Sequence, residues 1–336
     1  MTSRVTIFDR TGAPLTTLRV ATSRSWVLNG IGEATFQIAY TDPKCKREYL
    51  EFGNRVLIEH PKMPDWVGVI DTPRDWGNSS VTVRAYDACS LLSWRRGRQG
   101  LTMTGTAGSL FKQIILFANQ VQDIGLRPGT IYLGGTDRQE TVNDSLWQHM
   151  SNICGRSGND FIFTPRRDAG RLVIDGNWYQ RAGEPISVIL SEGKNIELGN
   201  DVLTEDGRIV NDLLGYGEGA TYETRIEAYG FNLESANRYD LRQSFATYSG
   251  NSELATLQAN VNADLALIKS PQTILQITAL DVGNTFAGLR LGNTMPVRLH
   301  SIGFTGSGRG YEATVRIYGM RYTDTTQKVD LVTKEQ

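Results

Sequence analysis

Up to Trp94 the apolar residues fall at every second position in short runs. NRVLIEH (Asn54 to His60), WVGVI (Trp66 to Ile70) and VTVRAY (Val81 to Tyr86) carry Val and Ile at alternate places, with Pro, Gly and Asn between the runs. β-Branched residues suit a half-buried pleat, and Gly, Pro and Asn suit the turns that join strands. The stretch Phe52 to Trp94 therefore predicts an antiparallel meander. Upstream, VTIFD (Val5 to Asp9), Leu15 to Val20 and SWVLNGIGEATFQIAY (Ser25 to Tyr40) add further strands, the last stretch split at Asn29-Gly30 and Gly32. Asn-Gly between apolar runs is a hairpin signal. About seven short strands of this kind suffice for a closed or nearly closed small β-barrel.

The meander has a second copy near the C-terminus. Leu291 to His300 (LGNTMPVRLH) aligns with Phe52 to His60 (FGNRVLIEH). Gly53-Asn54, Val56, Ile58 and His60 are matched by Gly292-Asn293, Val297 and His300. The later copy continues through the Gly-rich stretch Gly306 to Gly310 into ATVRIYGMRY (Ala313 to Tyr322), as the first continues into VTVRAY. A repeated order of this length predicts two copies of one β unit.

Between the copies the period changes. Leu110, Phe111, Ile114, Ile115, Ala118, Val121 and Gln122 fall on helical spacing until Gly125 and Pro128. A second helix is expected after a cap at Asp144, with Leu146, Trp147, Met150, Ile153 and Cys154 on one face and Gly155 and Gly158 closing it. DFIFT (Asp160 to Thr164) and RLVID (Arg171 to Asp175) read as a hairpin on those helices. β patterning returns in ISVIL, KNIEL, Arg208 to Tyr216 and Tyr222 to Ala228. A last long helix is expected from Ser252 to Lys269, stopped by Pro271, with Leu254, Leu257, Val261, Leu265 and Ile268 inward. The expected layout is mainly β with an α+β insertion. Residues 1–98 with 196–232 form a first barrel, 99–195 the insertion, and 233–336 a second barrel whose outer face the last helix covers.

Composition narrows the function. A chain of 336 residues is long for a single core. Its 35 basic and 36 acidic residues give a net charge of -1, which excludes a protein built to coat DNA. With mean hydropathy -0.31, an alternating N-terminal strand and no long apolar run, a soluble chain without membrane insertion or export by the general pathway is expected. Cys45, Cys89 and Cys154 are odd in number and far apart, unlike a disulfide framework or metal knuckle. His60, His149 and His300 each stand alone, so no metal site is expected. Gly215 to Gly219 and Gly306 to Gly310 open no helix and read as β turns, not phosphate cradles. GxSxG, HExxH and P-loop motifs are absent from the sequence. Asp65, Asp71, Asp75 and Asp87 sit at strand ends and turns, and Asp71 with Asp75 is the one acid pair that a glycosidase reading would use. Arg95, Arg96 and Arg98 form the basic cluster, a candidate subunit contact. No catalytic residue, cofactor or metal ligand is predicted, so the chain reads as a non-enzyme.

SWVLNGIGEATFQIAYTDP, FGNRVLIEH, WVGVIDTP and VTVRAYDACSLLSWR together resemble the N-terminal half of the tail-tip or baseplate hub proteins of tailed bacteriophages. The shared positions are Gly53, Asn54, Val56, Ile58, Gly68, Val69, Ile70, Val81, Val83, Asp87 and Leu91, then Thr141, Val142, Asp144, Leu146, Gly158 and Phe161, then Leu291 to Val297. The resemblance implies two tail-tube-like antiparallel β-barrels plus a small helix-hairpin module, with no cofactor. It implies a virion structural protein, assembled in the host cytoplasm as a homotrimer at the tail tip, where it closes or guides the channel for genome ejection. The partners it implies are a distal tail or tail tube protein, the tape-measure protein and a central fibre or spike, with DNA passing through unread. VDLVTKEQ ends the sequence without the peptidase, lysozyme or fibre domain that many such hubs append, which speaks against wall-degrading activity. The alternatives are a tail-associated peptidoglycan hydrolase using Asp71 and Asp75, and a host-receptor or glycan-binding adhesin.

Overall fold

A computed structural model describes residues 2–71, 75–199, 201–219, 224–248, 253–305 and 308–336. The chain is mainly β, with two antiparallel β units, a helix-hairpin module inserted between them and a small sheet with a covering helix. The first unit holds β1 (Ser3–Phe8), β2 (Pro14–Val20), β3 (Thr22–Val27), β4 (Glu33–Ala39), β5 (Arg55–His60), β6 (Met63–Ile70), β7 (Asp75–Trp76) and β8 (Ser80–Asp87). The insertion holds β9 (Thr102–Gly105), α1 (Ala107–Ala118), β10 (Leu126–Ile131), β11 (Arg138–Thr141), α2 (Leu146–Ser157), β12 (Asp160–Asp168) and β13 (Arg171–Tyr179). β14 (Leu190–Ser191) and β15 (Val202–Asp206) follow, then β16 (Asp212–Tyr216), β17 (Glu227–Phe231), α3 (Leu233–Tyr239), β18 (Gln243–Thr247) and α4 (Leu254–Ile268). The second unit is completed by β19 (Gln272–Leu280), β20 (Thr294–Thr305), β21 (Gly308–Thr323) and β22 (Lys328–Glu335).

The two units have one strand order. It is β3-β4-β8-β6-β5 in the first and β15-β19-β22-β21-β20 in the second. Their hydrogen bonds coincide where β5 and β20 begin. Gly53 N–H donates to Ile70 O (2.8 Å) and Ile70 N–H to Asn54 O (3.0 Å), while Gly292 N–H donates to Ile317 O (2.8 Å) and Ile317 N–H to Asn293 O (3.0 Å). Both glycines have positive φ, +89° and +82°, which an L side chain avoids. Each following Asn is buried and ties the preceding 3-10 turn to the strand: Asn54 Nδ2 donates to Glu48 O and Tyr49 O, Asn293 Nδ2 to Gly288 O. This register sets Leu50 against Leu289, and His60 against Leu299.

Two sequence alignments need correction. His300 is exposed and one place beyond the position of the buried His60; the two-residue period of the strand puts Leu299, not His300, on the inward face. Ala313 to Tyr322 lies in β21, the counterpart of β6, and the counterpart of Val81 to Tyr86 is β22. Gly306 and Ser307 of the Gly-rich turn lie outside the described residues.

One core serves both units. Val56, Ile58, Trp66, Ile70, Val81 and Val83 meet Met295, Val297, Val315, Ile317, Val329 and Leu331 in it. Leu57, Val67 and Val69 point to the opposite face and bury against α1, α2 and the 3-10 turn Ala88–Trp94. β5 and β6 are thus covered on both sides, which is why they are nearly continuous apolar runs. Around Phe111, Phe161, Phe163 and Trp178 the insertion has its own aromatic centre, with Phe111 and Trp178 rings 4.9 Å apart.

The expected boundaries shift. Strands near 196–232 do not complete the first unit: β15 pairs with β19, and β16 and β17 form a three-stranded sheet with β18. The insertion ends earlier than 195, because Ala182, Leu190 and Ile196 belong to the shared core and β14 pairs with β20. α4 covers the β17-β16-β18 sheet, not an outer face of the second unit, through Leu257, Val261 and Leu265 against Leu213, Ala228 and Tyr248. Leu254, expected inward, is 56% exposed. Helix α1 ends before Val121, which is exposed, and Ser145, not Asp144, occupies the cap position of α2. The expected starts of the 222–228 strand and of the 252–269 helix fall outside the described residues.

Candidate assembly surface

The residues that would carry chemistry are engaged in structural contacts. Asp71 accepts from Trp94 Nε1 (2.9 Å) and Asp75 pairs with Arg84 (2.9 Å), each on the surface. His60 lies against Tyr322, ring centroids 5.0 Å apart, and burial holds its pKa below the ordinary value. His149 is likewise lowered by burial. Burial pushes the Cys154 thiol up to about 12 and Cys89 well above its usual value, the reverse of an activated nucleophile. Among the described residues no group of three or more His, Cys, Asp or Glu is placed to hold a metal ion.

The conspicuous polar groups lie at junctions. β3 of the first unit pairs with β21 of the second, from Val27 opposite Gly319 to Ser23 opposite Thr323. Buried beneath that junction, Arg24 Nη1 donates to Ser3 Oγ (2.9 Å) and lies 3.6 Å from Asp324 Oδ1. Asp324 also accepts from the backbone N–H of Ser3 (3.2 Å) and of Thr22 (2.8 Å). The Arg24 guanidinium sits over the Tyr322 ring, 5.0 Å from its centroid. Burial lowers the Arg24 pKa and Asp324 opposes that shift.

A second buried acid joins three regions. Asp160, at the start of β12, accepts from Arg316 Nη2 on β21, from Ala182 N–H (2.7 Å) and from Asn29 Nδ2 (2.9 Å). Arg316 Nε donates to Gly292 O (3.0 Å), and Gly183 lies so close to Gly292 that a Cβ would come within 2.0 Å of its carbonyl carbon. Sequence reading missed Arg24, Asp160, Arg316 and Asp324. Arg24 did carry a signal, since it occupies an inward alternate position between Thr22 and Trp26.

Of the predicted contact cluster, Arg95 is half-buried and donates to Ala118 O (3.2 Å), whereas Arg96 and Arg98 are exposed. With Trp94 and Val121 they line an open hollow. Gly53, Asn54, Val56, Ile58 and His60, and likewise Gly292, Asn293 and Val297, are internal to their units. Large apolar side chains are exposed elsewhere: Trp76 (52%), stacked on Tyr40, Val202 on β15, and Tyr229, Phe231 and Phe245 on the sheet covered by α4. A contiguous exposed apolar patch marks a contact site, whereas single exposed apolar residues are ordinary.

Known structures share the whole architecture. The chain is similar to the prophage MuSo2 43 kDa tail protein from Shewanella oneidensis, at 10% identity and TM-score 0.63, covering 99% of this chain and 98% of that one. It is similar to prophage tail protein gp18 from Listeria monocytogenes, at 14% identity and TM-score 0.61, covering 99% and 94%. The tail protein from Neisseria meningitidis follows at 14% and 0.60, covering 100% and 97%. No family model matches the chain, and no curated protein matches it in sequence. At such identities the likeness is one of fold: the chain has the fold of bacteriophage tail proteins.

Proposed function

We propose that this chain is a structural hub of a phage tail tip or baseplate, assembled as a homotrimer. The observation that carries the reading is the pair of β units with one strand order in one chain. A tail tube is sixfold and a fibre or spike is threefold, so a piece between them must present both symmetries. Three chains with two like units each offer six nearly equivalent elements in one closed ring. The Gly53–His60 and Gly292–Leu299 strands would alternate about the channel axis.

Such a ring would bind a distal tail or tube protein on its sixfold side and a fibre or spike on the other, with the tape-measure protein above. It would close or guide the channel for genome delivery as a virion component assembled in the host cytoplasm. Arg96 and Arg98, beside Trp94, are proposed as a contact to a neighbouring subunit. The near-neutral charge suits a passage that does not trap DNA. Obligate ring contacts should bury on the order of 2,000 Å² or more.

Reconstruction of the intact particle tests the reading. Three copies at the tip are expected; one or six copies would end it. Purified protein is expected to release no muropeptides from cell walls. Release that stops in Asp71→Asn or Asp75→Asn would favour the hydrolase instead.

A further inference from the structure

We infer that the free edge of β15 pairs antiparallel with β7 of a second copy of this chain, with Leu203 opposite Trp76. The inference rests on the hub reading and gives its ring contact a register. Within one chain the junction between units is filled once, by β3 against β21. Each unit has both halves of such a junction, so one half of each kind is left over.

The internal repeat identifies the leftover halves. Ala34 on β4 pairs with Ala85 and Arg24, and Leu275 on β19 is held in the same place by Leu203 and by β22. Arg24 and Leu203 are therefore counterparts, and β15 is the second unit's β3. Likewise Trp76 pairs with Val81 on β8, and Tyr322 pairs with Val329 on β22, the counterpart of Val81. Trp76 thus holds the place of Tyr322, and β7 the place of the C-terminal half of β21. Tyr322 faces Arg24 across the filled junction. Carried over to the open halves, that pair becomes Trp76 and Leu203.

The open halves look like a separated interface. Among the described residues β15 has one paired neighbour, β19, and β7 has one, β8, where their counterparts have two. Tyr322 is 2% exposed beneath the filled junction and Trp76 is 52% exposed. Val202 on the β15 edge is exposed as well. Asp201, in the place that Thr22 takes in the polar lock with Asp324, has both carboxylate oxygens buried without a hydrogen bond. The contact joins unlike edges head to tail, so a second copy of the chain fits it, and in a threefold hub its repetition would close the ring.

Cross-linking the full chain tests the register. In a Cys45→Ser background, oxidised Trp76→Cys/Leu203→Cys protein is expected to give covalent dimers and trimers on a non-reducing gel. A mixture of the two single variants should stop at dimers, and each alone should give none. Trp76→Asp should sediment as a monomer with an unchanged circular dichroism spectrum. A trimeric wild type whose Trp76→Cys/Leu203→Cys variant forms no bridge, or a trimeric Trp76→Asp variant, overturns the register and leaves the hub reading standing. A wild-type chain that stays monomeric at every concentration overturns both.

Discussion

Asp160 shows how much one buried carboxylate can hold in place. Its partners come from the β3–β4 turn, the segment after β13 and β21. Removing one member of a buried ion pair leaves the other charge uncompensated, which typically costs about 3–5 kcal/mol. Asp160→Ala is therefore expected to lower the unfolding free energy measured in urea by that order, and Asp160→Ala/Arg316→Met to recover part of it, because the stranded guanidinium is gone. Asp87 behaves differently. Its side chain accepts from Cys89 N–H (2.9 Å) and caps the 3-10 turn, yet burial raises its pKa from 3.8 to about 6. The folded state then binds the Asp87 proton more tightly than the unfolded chain, so this group's contribution to stability falls as pH rises between those values. Asp87→Asn keeps an acceptor and removes the ionisation. Its stability relative to the parent should rise from about pH 4 to about pH 6 and stay level above, as measured by urea unfolding across that range.

At the scale of elements, the strands and helices with a strong local period were legible in the sequence, and their partners were not. The helix over Leu254–Ile268 has apolar residues on most of its surface, so periodicity could not separate the buried Leu257 and Val261 from the exposed Leu254. Its true partner, the β17-β16-β18 sheet, includes a parallel pairing of β16 with β18 across the intervening α3, and such a crossover leaves no mark on local spacing. Leu257→Ala should cost about 2–5 kcal/mol through the cavity it opens, whereas Leu254→Ala should be nearly neutral. Hydrogen exchange would show the loss first in β16 and β17, the strands α4 covers. The Gly-Asn pairs at Gly53 and Gly292 were readable because a positive φ followed by an inward Asn tolerates few alternatives. The buried ion pairs were not, since Arg24 and Asp324 lie 300 positions apart in sequence.

The whole molecule is organised by sharing. The two units have one hydrophobic core, with Trp26 of β3 and Met320 and Tyr322 of β21 in it together, and β3 takes β21 as its second neighbour. The first unit alone would leave the β3 edge unpaired and strip Arg24 of Asp324 and of the Tyr322 ring. A bare charge in a half-exposed core and an open apolar edge are both costly and promote aggregation. The chain segment before the insertion is thus expected not to fold as an independent domain, despite its barrel-like strand count. Residues 1–98 expressed alone should be unfolded or aggregated by near-ultraviolet circular dichroism. In the full chain the two units should lose protection from hydrogen exchange in one step, while the sheet under α4, which has its own small core, opens at lower free energy. A folded, monomeric 1–98 fragment would separate the units. Two like units fused through a shared core would then no longer account for how one chain presents a fixed pair of positions to a ring.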